Sequence, residues 1–177
     1  MADLKKGDFK KAYDQLNKLT NINNKDRFNS AILESLKQYI YVFKEKKILN
    51  NKKSFGKLSI ISETFQRCYL GDVNTNKYFS KLVYDDESNY TRYIFFYLSY
   101  LIENNKTDDV KKIIDGLDYI NTTLLLSQGK SWIENENSRR LTDVFSCKNP
   151  NDIISEFLFL ISNIYSSQDD FEKSNFY

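Results

Sequence analysis

Apolar residues recur with helical spacing along most of this chain. Phe28, Ile32, Leu36, Tyr39 and Phe43 step by three or four positions, which places them on one face of a helix turning about every 3.6 residues. Leu58, Ile61, Phe65, Cys68 and Tyr69 repeat the pattern, and Ile153, Phe157, Leu160, Ile161 and Ile164 repeat it again. Each stripe needs a partner to cover it. Residues 93–102 are apolar nearly all round, which predicts a helix enclosed by others. The best strand signal, residues 122–126, is flanked by helical patterns and reads as a buried helix.

The breaks between these segments carry capping chemistry. Asn23, Asn24 and Asp26 precede the second helix, residues 85–89 precede the aromatic one, and Asn149, Pro150, Asn151 and Asp152 precede the helix ending near Tyr165. One Pro and five Gly in 177 residues are too few for a fold built from many tight turns. The pattern predicts an all-α chain, helical over more than half its length, with about eight to ten antiparallel helices in a single domain spanning residues 1–177.

A search for internal repetition finds a shared grammar in GDFKKAYDQL at Gly7, GDVNTNKYFSKL at Gly71, TDDVKKII at Thr107 and DDFEKSNFY at Asp169. A Gly or polar turn is followed by Asp, an apolar residue, and a small or apolar residue three positions later. These strings resemble the turn between the two helices of the tetratricopeptide repeat, commonly Gly-Asp-Tyr-x-x-Ala. Gly7, Asp8, Phe9 and Ala12 match that turn in the first copy. In the last, Leu158, Ile161, Ser162 and Tyr165 fit the first helix, while Asp170, Phe171 and Ser174 fit the turn and second helix. Phe9, Val73, Val110 and Phe171 lie 64, 37 and 61 residues apart, so the array is irregular in the middle.

The resemblance implies helix hairpins stacked into a right-handed α-solenoid, with Ala12 small so that paired helices approach closely. Phe171 and Phe176 would form the buried face of a final helix. Both ends are expected to be cut inside a repeat unit, leaving a terminal unit whose exposed apolar edge would favour self-association.

A content of 41% apolar and 28% charged residues is globular, and the 13 Tyr and 13 Phe supply core material. Charged residues interrupt every apolar run near the N-terminus, and no run approaches the ~20 residues of a membrane span, so a soluble, cytoplasmic protein is expected. Cys68 and Cys147 have no CxxC partner, leaving a structural zinc site or redox motif unsupported. The charge is asymmetric: residues 1–57 carry 14 Lys or Arg against 6 Asp or Glu, and residues 58–177 carry 12 against 18. The basic third could track phosphates, but solvated helix faces account for Lys10, Lys11, Lys18, Lys37, Lys44, Lys46 and Lys47.

Catalytic constellations are scarce. The chain has no His, which removes Ser-His-Asp and Cys-His nucleophiles and histidine-based metal centres. LLLSQGKSW invites comparison with a phosphate-binding loop, but Leu124 stands where its first Gly is needed. The carboxylate pairs Asp85–Asp86, Asp108–Asp109 and Asp169–Asp170 read as helix caps. Trp132 and the tyrosines 90, 93, 97 and 100 read as core, Arg139 and Arg140 as a solvated face, and the sequons at Asn89 and Asn121 as chance.

The resemblance to the tetratricopeptide repeat implies a non-catalytic helical scaffold, without metal or cofactor, whose groove receives a protein or peptide partner. Tyr97, Asn104, Asn105, Asn163 and Ser167 are its candidate lining residues. The alternative is a nucleic-acid-binding helical domain using the basic third.

Overall fold

The computed structural model describes residues 6–20, 27–50, 53–84, 91–117 and 123–176. They form ten helices: α1 Phe9–Thr20, α2 Arg27–Glu45, α3 Lys57–Leu70, α4 Thr75–Val83, α5 Thr91–Glu103, α6 Thr107–Asp115, α7 Leu124–Glu134, α8 Arg139–Val144, α9 Pro150–Ser166 and α10 Phe171–Phe176. No strand occurs among the described residues, and helices account for more than half of the chain, as the periodicity predicts. Asn23, Asn24, Asp26, residues 85–90, Asn121, Thr122 and the side chain of Phe176 lie outside the described residues.

Two compact units divide the chain, Met1–Gly71 with Pro150–Tyr177, and Asp72–Asn149. In the first, α1 packs on α2, and the stripe predicted for α2 is its buried face: Ile32, Tyr39 and Phe43 are buried. Ala12 and Leu16 form a buried core cluster with Ile40. Pro150 opens α9 at the first helical position, where a missing N–H costs nothing. Helix α9 then buries Ile153, Phe157 and Ile161 while packing on both α2 and α3. Tyr39 meets Phe157 edge to face with ring centroids 5.6 Å apart. A linear solenoid contacts only sequence neighbours; here an element from the last third closes on elements from the first.

The second unit is organised around α5, which packs against α4, α6, α7 and α8. Its apolar circumference has the predicted consequence. Tyr93, Phe95, Phe96, Tyr97, Leu98, Tyr100 and Leu101 are all buried. Fully burying side chains of this size stabilises by roughly 1.5–3 kcal/mol each. Phe79 of α4 stacks on Tyr97 and on Tyr100, both at 5.3 Å, and Phe96 meets Phe145 at 4.2 Å. The segment read as a possible strand is helical from Leu124 onward, and Thr123 caps it by accepting from the Leu126 amide at 3.2 Å.

Three of the four repeated strings, at Gly71, Thr107 and Asp169, stand where a helix has just ended. Asn105, Glu136 and Asp169 adopt left-handed φ of 55°, 60° and 58°. After α5, the Lys106 amide donates to Leu101 O and the Asn105 amide to Ile102 O; after α9, Asp170 donates to Tyr165 O and Asp169 to Ser166 O. Both are Schellman closures that satisfy the last helical carbonyls. Gly71 ends α3 at φ 67°, donating to the same helical turn. Asp170 then opens α10, its carboxylate accepting from the Lys173 amide at 3.2 Å.

The apolar member of the grammar is less uniform. Val110 is buried, but Val73 is 93% exposed and Phe171 58% exposed. The expectation that Phe171 lies on a buried face is corrected: α10 meets α9 through small residues, with Ser162 Oγ donating to Ser174 O at 2.8 Å.

A candidate binding recess in the second unit

Where α5 ends, the left-handed Asn105 turns the chain into α6, and the start of α8 lies alongside. Ile102, Glu103, Asn105, Thr107, Ser138, Arg139 and Thr142 enclose a recess of about 360 Å³. That size falls at the lower end of ligand clefts. Three hydroxyl side chains, one amide and two opposite charges line it.

Two of these groups have a defined local role. Asn105 is there because the turn needs a left-handed residue, which Asn tolerates better than most. Thr142 donates its hydroxyl to Arg139 O at 2.7 Å. Glu103 is mostly buried, its Oε2 lacks a hydrogen bond, and the Lys148 ammonium lies 3.8 Å from it. The Arg139 guanidinium has no carboxylate partner among the described residues. The recess therefore offers an unpaired cation and an under-satisfied carboxylate, able to hold a carbonyl or carboxylate on one side and an N–H donor on the other.

Of the residues expected to line a groove, Asn105 alone borders this recess. Asn104 is exposed at the same helix end, with its side-chain amide donating to Tyr100 O at 2.7 Å. Asn163 and Ser167 are exposed on α9 and the turn after it, in the other unit, and Ser167 Oγ donates to Ile164 O at 2.7 Å. Tyr97 is a core residue, 4% exposed, whose hydroxyl donates to Asn76 Oδ1 at 2.8 Å and lies 3.2 Å from Ser80 Oγ. Its burial, the larger influence, pushes the phenol pKa up despite those hydrogen bonds. Sequence reading missed Glu103, Thr107, Ser138 and Thr142, because residues become neighbours here only when two helix starts and one helix end meet.

Other chemical candidates resolve into structure. Gly129 lies within α7, buried, and a Cβ there would sit 2.9 Å from Phe95 Cδ2, so its smallness serves helix packing. Trp132 is half-buried with the Arg140 guanidinium 6.0 Å over its ring. Asp108 and Asp109 occupy the first turn of α6. Lys10, Lys11, Lys18, Lys44, Lys46 and Lys47 are exposed on or next to helices.

Cys68, in the first unit, and Cys147, in the second, are both buried. In the first unit, Tyr39, Ser62, Gln66 and Glu156 are buried polar groups, with Gln66 Nε2 donating to Ser62 Oγ at 2.8 Å. Burial raises the Tyr39 phenol strongly and outweighs its hydrogen bond to Ser62.

Among the described residues no group of three or more His, Cys, Asp or Glu side chains is placed to hold a metal ion, and no helix is long and apolar enough to cross a membrane. Comparison with family models, curated proteins and solved structures finds no match to this chain.

Proposed function

We propose that this protein is a non-catalytic helical scaffold of tetratricopeptide-like hairpins that binds a polar peptide segment of a partner protein. The observation that carries this reading is the recess at the α5–α6 turn, where Arg139 and Glu103 present opposite charges beside hydroxyl groups. A peptide backbone offers the complementary acceptor and donor. Binding is favoured over catalysis because Thr142, one of the hydroxyls lining the recess, spends its proton on a backbone carbonyl, and the chain has no His to activate another. The hairpin reading is supported by the Schellman turns at Asn105 and Asp169, which fall at two of the four repeated strings.

The test is selection of peptides from a random display library, followed by calorimetry on the protein and on Thr142→Trp, which fills the recess. At least tenfold weaker binding by the filled variant, at an unchanged unfolding midpoint, is expected. Failure to select any peptide, or equal affinity of both proteins, would sink the reading.

A cytoplasmic location was expected from the charged N-terminal residues. Alkylation of denatured protein from its native source tests it: labelling without prior reduction is expected in the cytosol, which keeps thiols reduced, and labelling only after reduction would place the chain in an oxidising compartment.

A further inference from the structure

The outer face of α1 and α2 interleaves cations with tyrosines. Lys37, Tyr41 and Lys44 stand four and three residues apart, a single stripe of α2, and Lys10 and Tyr13 stand three apart on α1. The two stripes adjoin, because the Tyr13 and Tyr41 rings lie 6.0 Å apart. Both tyrosines are half-buried, so each offers ring surface to solvent.

Two ammonium groups converge on one ring. Lys37 Nζ lies 6.0 Å and Lys44 Nζ 5.5 Å from the Tyr13 centroid. Cation–π attraction fixes both side chains, but it does not neutralise them. Lys44 is paired with Glu45 at 2.5 Å. Lys37 has no carboxylate partner among the described residues, and neither has Lys10. Glu45 and the nearby Asp14 charge answer Lys44, whereas Lys10 and Lys37 stand beside half-buried ring surface with no paired carboxylate among the described residues.

We infer that the Lys10, Tyr13, Lys37, Tyr41 and Lys44 face of α1 and α2 docks an acidic, extended peptide segment of a partner protein. Spacing selects the occupant. Lys37 and Lys44 are seven residues apart, which is about 10 Å along a helix axis. In a polyproline II segment every third side chain returns to the same face after about 9 Å, so carboxylates at every third residue reach both ammonium groups while the intervening residues lie on the tyrosines. Nucleic acid fits less well. It needs a continuous cationic track and bare rings to stack on. Here Asp14 and Glu34 interrupt the track, and both tyrosines are half-buried. This surface is independent of the recess at Asn105.

The test titrates the full chain with a labelled peptide repeating Glu-Pro-Pro, its Gln-Pro-Pro counterpart and a single-stranded oligonucleotide of equal length, at low and physiological salt. The acidic peptide should bind, the Gln peptide should not, and Lys37→Glu should weaken binding at least tenfold, with Lys37→Gln giving a smaller loss in the same direction. Lys112→Glu, in the other unit, should leave affinity unchanged. No binding of the acidic peptide, an equal loss with Lys112→Glu, or tighter binding of the oligonucleotide that Lys37→Glu abolishes would each overturn the assignment, the last in favour of nucleic acid. Retained helicity of both Lys37 variants by circular dichroism separates a lost surface from a lost fold.

Discussion

Tyr165 donates its hydroxyl hydrogen to Asn29 Oδ1 at 2.6 Å, joining residues 136 positions apart within one compact unit. The ring of the same tyrosine meets Phe28 edge to face at 5.2 Å. One side chain near the end of α9 therefore holds the first turn of α2 by a polar and an apolar contact. Tyr165→Phe keeps the ring and removes the hydrogen bond. It should destabilise the protein by about 0.5–1.5 kcal/mol, read as a lower urea midpoint at unchanged slope. An unchanged midpoint would mean that water replaces the bond without loss.

Gly129 of α7 lies close against the Phe95 ring of α5. Ala is the better helix former by about 1 kcal/mol, so a helical glycine free of neighbours would gain from Gly→Ala. At Gly129 the added methyl would meet the Phe95 ring at 2.9 Å. Gly129→Ala is expected to destabilise by about 1–3 kcal/mol because overpacking exceeds the propensity gain. Phe95→Leu in the same chain should recover part of that loss, a non-additivity that a double-mutant cycle measures. A stabilised Gly129→Ala would show that α7 can move away from α5.

What could be read from the sequence follows the range of the interactions involved. Helical faces are local, and the stripes at Ile32, Tyr39 and Phe43, at Ile61, Phe65 and Cys68, and at Ile153, Phe157 and Ile161 are all buried as their spacing predicts. Val73 and Phe171 were not legible, because the grammar fixes a turn but not which side of the next helix finds a partner. The closure of α9 on α2 and α3 has no local signature. Neither has the recess, whose seven lining residues come from two stretches more than 30 positions apart.

Two turns carry stored backbone strain that glycine would release. Asn105 and Asp169 hold left-handed φ of 55° and 58° at the position that closes a Schellman motif. A residue with a Cβ is strained there, and Gly is not. Asn105→Gly and Asp169→Gly should each raise stability by up to about 1 kcal/mol, whereas Gly71→Ala, at φ 67°, should lower it by a similar amount. Thermal midpoints shifting in these opposite directions would verify the turn geometry. A loss of stability in Asp169→Gly would show that its carboxylate contributes more than the backbone loses.

Tyr39 makes the first unit sensitive to alkali. Its phenol is buried, burial raises its pKa well above the ordinary 10.0, and the Glu156 charge pushes in the same direction. An unfolded tyrosine ionises near pH 10. With the folded pKa raised above the unfolded one, the contribution of neutral Tyr39 is fully present below pH 10 and is progressively lost as pH rises beyond it. Wild-type protein should accordingly lose helicity in alkali together with a step in tyrosinate absorbance, because Tyr39 ionises by unfolding the unit around it. Tyr39→Phe should be less stable at neutral pH by the lost hydrogen bond to Ser62, about 1 kcal/mol, yet its stability should decline less steeply above pH 10. Tyr97 and Tyr100 are also raised by burial, so some alkaline sensitivity persists in the variant. Circular dichroism and absorbance followed together across this range decide it: a parallel alkaline decline in wild type and Tyr39→Phe would remove Tyr39 as a source of the effect.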